Sequence, residues 1–216
     1  MKDKENGRVG SMGKIFYLIG KSAVGKDTIL EELLQNESLC LNPIVQYTTR
    51  PIREGEENGR EYNFITDETA SKLQEDGKVI EMRAYHTVYG VWKYMMVDDG
   101  ETDLANADYA AVGTVESYER ARDYYGESRV IPIYIDLDTG ERLQRALDRE
   151  RKHDQPKYTE MCRRFLADEE DFSYEHLQAA GLLKKDGEIL NRVENNDFGK
   201  CLQDIAGIIQ NERTEC

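Results

Sequence analysis

The chain has 216 residues, with 29 Lys and Arg against 43 Asp and Glu, for a net charge of −14. So acidic a surface excludes a general nucleic-acid binder, whose affinity rests on basic groups neutralising phosphates. An anionic ligand must instead be met by a local cluster of Lys and Arg. The length suits one domain with room for an inserted lobe, and no apolar run approaches the roughly 20 residues that span a bilayer, so a cytoplasmic protein without a membrane partner is expected.

The N-terminus, MKDKENGRVGSM, is polar, lacks an apolar signal core and reads as a loose tail over residues 1–12. KIFYLIG (Lys14–Gly20) predicts a buried strand ending at glycine. After Lys26, the spacing of Ile29, Leu30, Leu33 and Leu34 predicts a helix. From Thr48 to Val97 the texture changes to short, Tyr-rich strand-like pieces broken by Gly, which predicts a small, mainly β lobe. DYAAVG (Asp108–Gly113) and RVIPIYID (Arg129–Asp136) predict further buried strands. Helices follow from about Glu116 to Tyr125 and from Thr139 to about Lys152, and the last stretch is mostly helical. Strands alternating with helices imply an α/β fold, a parallel sheet covered by helices on both faces. The cysteines, Cys40, Cys162, Cys201 and Cys216, form no CxxC pair and fit a reduced compartment better than a zinc site or disulfide framework.

GKSAVGKDTI (Gly20–Ile29) lies between a predicted strand and a predicted helix, and its Gly-x-x-x-x-Gly-Lys spacing is that of a phosphate-binding loop. Its glycines let the backbone N–H groups curl around a phosphate, and the following helix adds its N-terminal dipole. Gly20, Lys21, Ser22, Ala23, Val24 and Gly25 would form the cradle, with Lys26 reaching the β- and γ-phosphates of ATP and Thr28 offering a hydroxyl. Asp27 stands where this motif has Ser or Thr. Either its carboxylate serves as a hard oxygen ligand for Mg²⁺, or it is an acid favoured in a first helical turn. Further on, Arg50 and Arg53 flank Pro51 in YTTRPIREGEENGREYNFI (Tyr47–Ile65), and with Tyr62 they could cradle a phosphate monoester; otherwise the segment is a solvated charged loop.

TTRPIREGEENGREYNF resembles the nucleotide-binding segment of guanylate kinases, Thr-Thr-Arg-x-x-Arg-x-Gly-Glu-x-x-Gly-x-x-Tyr-x-Phe, at every fixed position from Thr48 to Phe64. The similarity in layout runs from Lys14 to about Ile209, with weaker motif agreement after Gly90. The resemblance implies a P-loop nucleoside triphosphatase core over about 13–47 and 98–213, a nucleotide-monophosphate-binding lobe over about 48–97 and a helical lid over about 149–165, within one domain spanning 13–213. It implies transfer of a phosphoryl group from ATP, with Mg²⁺, to GMP or dGMP. Arg50, Arg53, Tyr62 and Tyr89 would hold the acceptor phosphate, and Glu81 would read guanine, whose N1–H and N2–H suit a carboxylate. The lid arginines would be Arg149 and Arg164, with Arg151 and Arg163 as alternatives. Read from the residues alone, Arg163 and Arg164 pair with Asp168, Glu169 and Glu170 along one helix. Asn195, in RVENNDF, matches a family segment near the adenine of ATP, and is otherwise part of a polar turn.

The sequence departs from the family where Val91 replaces the usual Ser or Thr and where Thr114 falls at a family aspartate, near which Glu116 also stands. The Glu81 to Tyr89 spacing is one residue short. Two rivals follow. Ribose 1,5-bisphosphate phosphokinases are similar and also show Gly-Lys-Asp, while non-catalytic guanylate-kinase-like modules have degraded phosphate loops. The complete TTRxxRxGE segment and Glu81 favour the nucleotide kinase over the first, and intact Gly20, Gly25 and Lys26 favour it over the second.

Overall fold

The computed structural model describes residues 12–53, 55–87 and 90–214; the predicted tail falls largely outside them, as do Tyr89 and Cys216. The first strand, β1 (Ile15–Ile19), is wholly buried, as a continuous apolar run requires when both faces of a strand are covered. It leads through the phosphate loop into α1 (Lys26–Gln35) and β2 (Leu41–Pro43). Then come β3 (Tyr47–Thr48), β4 (Asn63–Phe64), α2 (Asp67–Glu75), β5 (Val79–Thr87) and β6 (Gly90–Val97). The chain continues through β7 (Asp108–Gly113), α3 (Val115–Tyr125), β8 (Val130–Asp136), α4 (Thr139–Arg151), α5 (Tyr158–Asp171), α6 (Tyr174–Ala179), β9 (Arg192–Glu194) and α7 (Phe198–Thr214).

Five strands form one all-parallel sheet in the order β2-β7-β1-β8-β9. Side chains alternate across a strand, so β1 feeds two cores. Ile15, Tyr17 and Ile19 pack with Tyr118, Ala121, Phe172 and Leu177 of α3 and the α5–α6 region. Phe16 and Leu18 face the opposite way, onto Ile29 and Leu33 of α1 and Ile205 and Ile209 of α7. Four strands make a separate sheet, β4-β3-β6-β5, in which β5 and β6 pair antiparallel and α2 covers a small core of Ala70, Met95 and Val97. Thr66 caps α2 by accepting from the Thr69 N–H.

The α/β class expected from alternating elements is the one observed, with the small sheet where the Tyr-rich texture changes. The C-terminal stretch, expected as mostly helical, also contributes edge strand β9. Its three residues are too few to show a strand period, and their pairing with β8 is a tertiary fact. No described helix is long and apolar enough to cross a membrane.

Phe16 is fully buried between β1 and the α1–α7 layer. Phe16→Ala is expected to destabilise the fold by about 3–5 kcal/mol. Denaturant titration checks this, and the midpoint should fall with little change in slope.

Candidate active site

At the end of β1 the chain turns sharply. Gly20 has φ 155°, and a Cβ there would lie 2.4 Å from the Ile135 carbonyl oxygen of β8, so only glycine fits. Ala23 and Gly25 follow with φ of 66° and 97°, and Gly25 caps α1. Lys26 folds back over this loop and its Nζ donates to the carbonyl oxygens of Gly20 at 2.6 Å and Lys21 at 3.1 Å. Burial lowers the Lys26 pKa, an effect that Asp27 and Asp168 oppose and that Arg149 and Arg142 reinforce. Asp27 and Thr28 are exposed in the first turn of α1. The Asp27 charge also acts on Tyr62, just before β4.

Two further elements brace the loop. Asn195, just after β9 and 2% exposed, donates from Nδ2 to the Val24 carbonyl at 2.7 Å. Its amide serves the loop, while Arg145 Nη2 donates to its backbone carbonyl at 3.2 Å. From α5, Asp168 accepts the Ser22 N–H at 2.8 Å and the Ser22 hydroxyl at 3.2 Å, and Glu169 pairs with Lys21 at 2.5 Å. Both carboxylates also bind Arg142 of α4, which is 1% exposed and stacks 3.7 Å from the Phe165 ring centroid. The expected pairing of Arg163 and Arg164 with Asp168, Glu169 and Glu170 is therefore not found among the described residues. Asp168 and Glu169 turn inward to Arg142, and the two arginines bind Glu160 one turn back, holding its pKa down at about 2. Arg163 and Arg164 stay largely in solvent, as does Arg151 beside Asp148.

In the small sheet, Arg50 is 3% exposed. Its guanidinium makes a two-pronged pair with Glu56, Nη1 to Oε2 at 2.9 Å and Nη2 to Oε1 at 2.8 Å, and lies 5.5 Å from the Tyr62 and 5.3 Å from the Phe64 ring centroids. Glu56 also accepts the Arg53 N–H at 2.8 Å, so the turn carrying both arginines is built around one carboxylate. The Arg53 side chain is exposed. Tyr62 packs edge-on to Tyr94, and burial pushes its phenol up to about 12.

Beyond the carboxyl end of β7, Thr114 caps α3 with a capping box to Ser117. Thr114 and Glu116 line a cavity of about 620 Å³, with Arg83 and Tyr85 of β5 opposite and Asp171 and His176 closing another side. Glu81 is buried behind this wall, 3% exposed at its side chain, with Oε1 2.6 Å from Arg83 Nε. The two groups form a buried ion pair. Burial raises the Glu81 pKa, opposed by Arg83. Among the described residues, no three His, Cys, Asp or Glu side chains gather to hold a metal on their own.

The guanylate kinase family model matches residues 12–212. The chain belongs to the guanylate kinase family. It is 27% identical to the guanylate kinase of Wolbachia sp. subsp. Brugia malayi over 213 residues, covering 95% of this chain and 96% of the relative. It is likewise 27% identical to that of Nitrosomonas europaea, with 94% and 91% covered. The crystal structure of guanylate kinase from Anaplasma phagocytophilum superposes with a TM-score of 0.60 over 94% of this chain and 87% of that one; at 20% identity this is a likeness of fold.

Within this guanylate kinase fold, the sequence reading missed four side chains. Arg145 lies one helical turn before Arg149 and next to Asn195, so its spacing was a usable signal. Arg142, Asp168 and Arg83 gave none, because their partners are far away in the sequence or, for Arg83, on a strand whose inward face was not marked. Glu56 ties Arg50 and Arg53 together, and its pKa is held low first by the Arg50 hydrogen bond. The stability from a depressed carboxylate is present above its ordinary pKa of 4.5 and is lost as pH falls through the lower folded value. Glu56→Gln is therefore expected to flatten the dependence of the thermal midpoint on pH below about 4.5, measured by calorimetry across pH.

Proposed function

We propose that this chain transfers the γ-phosphoryl group of ATP to GMP or dGMP, releasing ADP and GDP or dGDP. The observation that carries the reading is a pair of held cations: Lys26 folded over a phosphate loop, and Arg50 buried against the Tyr62 and Phe64 rings in the neighbouring lobe. Phosphoryl transfer has a loose, highly charged transition state, so positioning and charge neutralisation do most of the catalysis. Held cations are parts of that kind. Membership of the guanylate kinase family supports the choice of nucleotide.

In this reading residues 13–47 and 98–213 are the core, and Gly20, Lys21, Ser22, Ala23, Val24, Gly25, Lys26 and Thr28 bind the ATP phosphates. Asn195 braces that loop at the adenine end. Arg50, Arg53 and Tyr62 of the lobe 48–97 would hold the acceptor phosphate, as would Tyr89, which lies outside the described residues, and Thr114 would lie toward the guanine, with Glu81 buried behind the cavity wall. A lid over 149–165 carries Arg149 and Arg164 onto the transferring group and shuts out water. Because Arg164 pairs with Glu160 in solvent, it can be released cheaply for that motion. The partners are small nucleotides, with no nucleic acid and no membrane, in the cytoplasm.

Asp27 fits Mg²⁺: it offers an exposed, hard carboxylate beside Lys26, and Mg²⁺ ordinarily takes one or two protein carboxylates and completes its shell with phosphates and water. The metal would supply charge neutralisation between the β- and γ-phosphates.

A coupled assay of ADP release tests the function. GMP and dGMP are expected to outpace AMP, CMP, UMP and ribose 1,5-bisphosphate, and Lys26→Ala to lose nearly all turnover with its thermal midpoint retained. Near-normal turnover in that variant sinks the reading. Asp27→Asn is expected to raise the Mg²⁺ concentration for half-maximal activity and to improve ATP binding in excess chelator, since an unscreened carboxylate repels the triphosphate. Calorimetric titration with and without chelator reads the second effect. No change in either quantity would make Asp27 a helix-end acid only.

A further inference from the structure

The cavity at the carboxyl end of β7 has a wall that the motif does not account for. Its volume, about 620 Å³, suits a nucleotide-sized ligand, and it lies where open α/β sheets bind ligands. Arg83 lines it and Glu81 does not. The Arg83 side chain is 16% exposed and bounded by fixed neighbours: Glu81 Oε1 at 2.6 Å, and Gln46 Oε1 at the edge of hydrogen-bonding range, 3.5 Å from Nη2. Gln46 is itself fixed by donating to the Val112 carbonyl at 3.1 Å. The Arg83 Nε is taken up by the buried ion pair with Glu81.

We infer that Arg83 is the specificity-determining residue for the acceptor base, donating to the O6 and N7 acceptors of a 6-oxopurine, with Glu81 positioning its guanidinium. This rests on the proposed GMP kinase reading and deepens it. The chemistry is that of any arginine facing a guanine edge. The planar guanidinium fork matches the side-by-side acceptors O6 and N7, whereas adenine presents an amino donor at position 6 and is rejected by it. Glu81 supplies the counter-ion that a buried guanidinium needs and holds it in place.

The test compares GMP with 7-deaza-GMP, in which N7 is replaced by C–H, using kcat/KM in the coupled assay. Wild type is expected to prefer GMP by about tenfold, the worth of roughly one good base contact. Arg83→Ala is expected to lose about ten- to a hundredfold on GMP, bring the GMP to 7-deaza-GMP ratio close to one, narrow the margin over AMP, and leave the KM for ATP unchanged. Where Arg83→Ala fails to fold, Arg83→Lys keeps the charge beside Glu81 without the fork, and its ratio should also fall toward one with the thermal midpoint retained. A wild type that uses GMP and 7-deaza-GMP equally, or an Arg83 variant that keeps the full preference, overturns the inference while leaving the kinase reading standing. A wild type inactive on GMP overturns both.

Discussion

The hydrogen bond from Asn195 Nδ2 to the Val24 carbonyl, with the return of Lys26 onto Gly20 and Lys21, holds open a loop that would not stay open by itself. Three of the six residues from Gly20 to Gly25 sit at positive φ, and one of them, Ala23, is not glycine and carries about 1–3 kcal/mol of backbone strain. Such strain persists only where surrounding structure over-determines it. Here the surroundings are β8, against which Gly20 packs with no space for a side chain; β9, which delivers Asn195; and α5, which delivers Asp168 to Ser22. The edge strand β9, three residues long, is thus needed at the site because it sets where Asn195 emerges. Arg142 extends the chain of support one layer further, since its guanidinium holds Asp168 and Glu169 together under the loop.

The same logic explains how a chain of net charge −14 can meet polyanionic ligands. Its surface repels them, so the cleft must hold its few cations in fixed places where they are not neutralised at random. Arg50 is buried on aromatic faces and oriented by a two-pronged carboxylate, an arrangement in which little side-chain entropy remains to be lost on binding. Arg163 and Arg164 are the opposite case. They are exposed and paired with Glu160 by contacts of the kind that contribute little in water, which would suit groups that travel in the proposed lid.

What could be read from sequence follows from the range of each signal. Strand β7 has the bounds that DYAAVG suggests, and β1, β8, α3 and α4 lie within a residue or so of their expected ends, because burial on both faces and helical stripes are written locally. The phosphate loop and the Thr48–Phe64 segment were legible because their chemistry demands fixed residues at fixed spacing. Arg142 meeting Asp168 across 26 positions, or Asn195 meeting Val24 across 171, has no local period and no motif. The misassigned partners of Arg163 and Arg164 show the limit well: the helix offers acids on both sides at workable spacing, and only the packing of α5 against the loop decides that Asp168 and Glu169 face inward.

Asp27 brings these lines together. A lysine ammonium pressed onto two carbonyls and drawn out of water is disfavoured by desolvation, and the lowered Lys26 pKa records that burden. With nucleotide bound, phosphate would relieve it. Without nucleotide, relief has to come from the protein, and the Asp27 and Asp168 carboxylates act on Lys26 in that direction. A hydroxyl in place of Asp27 could ligate a metal but could not offset that charge. The carboxylate therefore has a physical role in the empty loop, apart from the one proposed toward a metal: it favours the protonated form of Lys26, the cation that would meet the triphosphate.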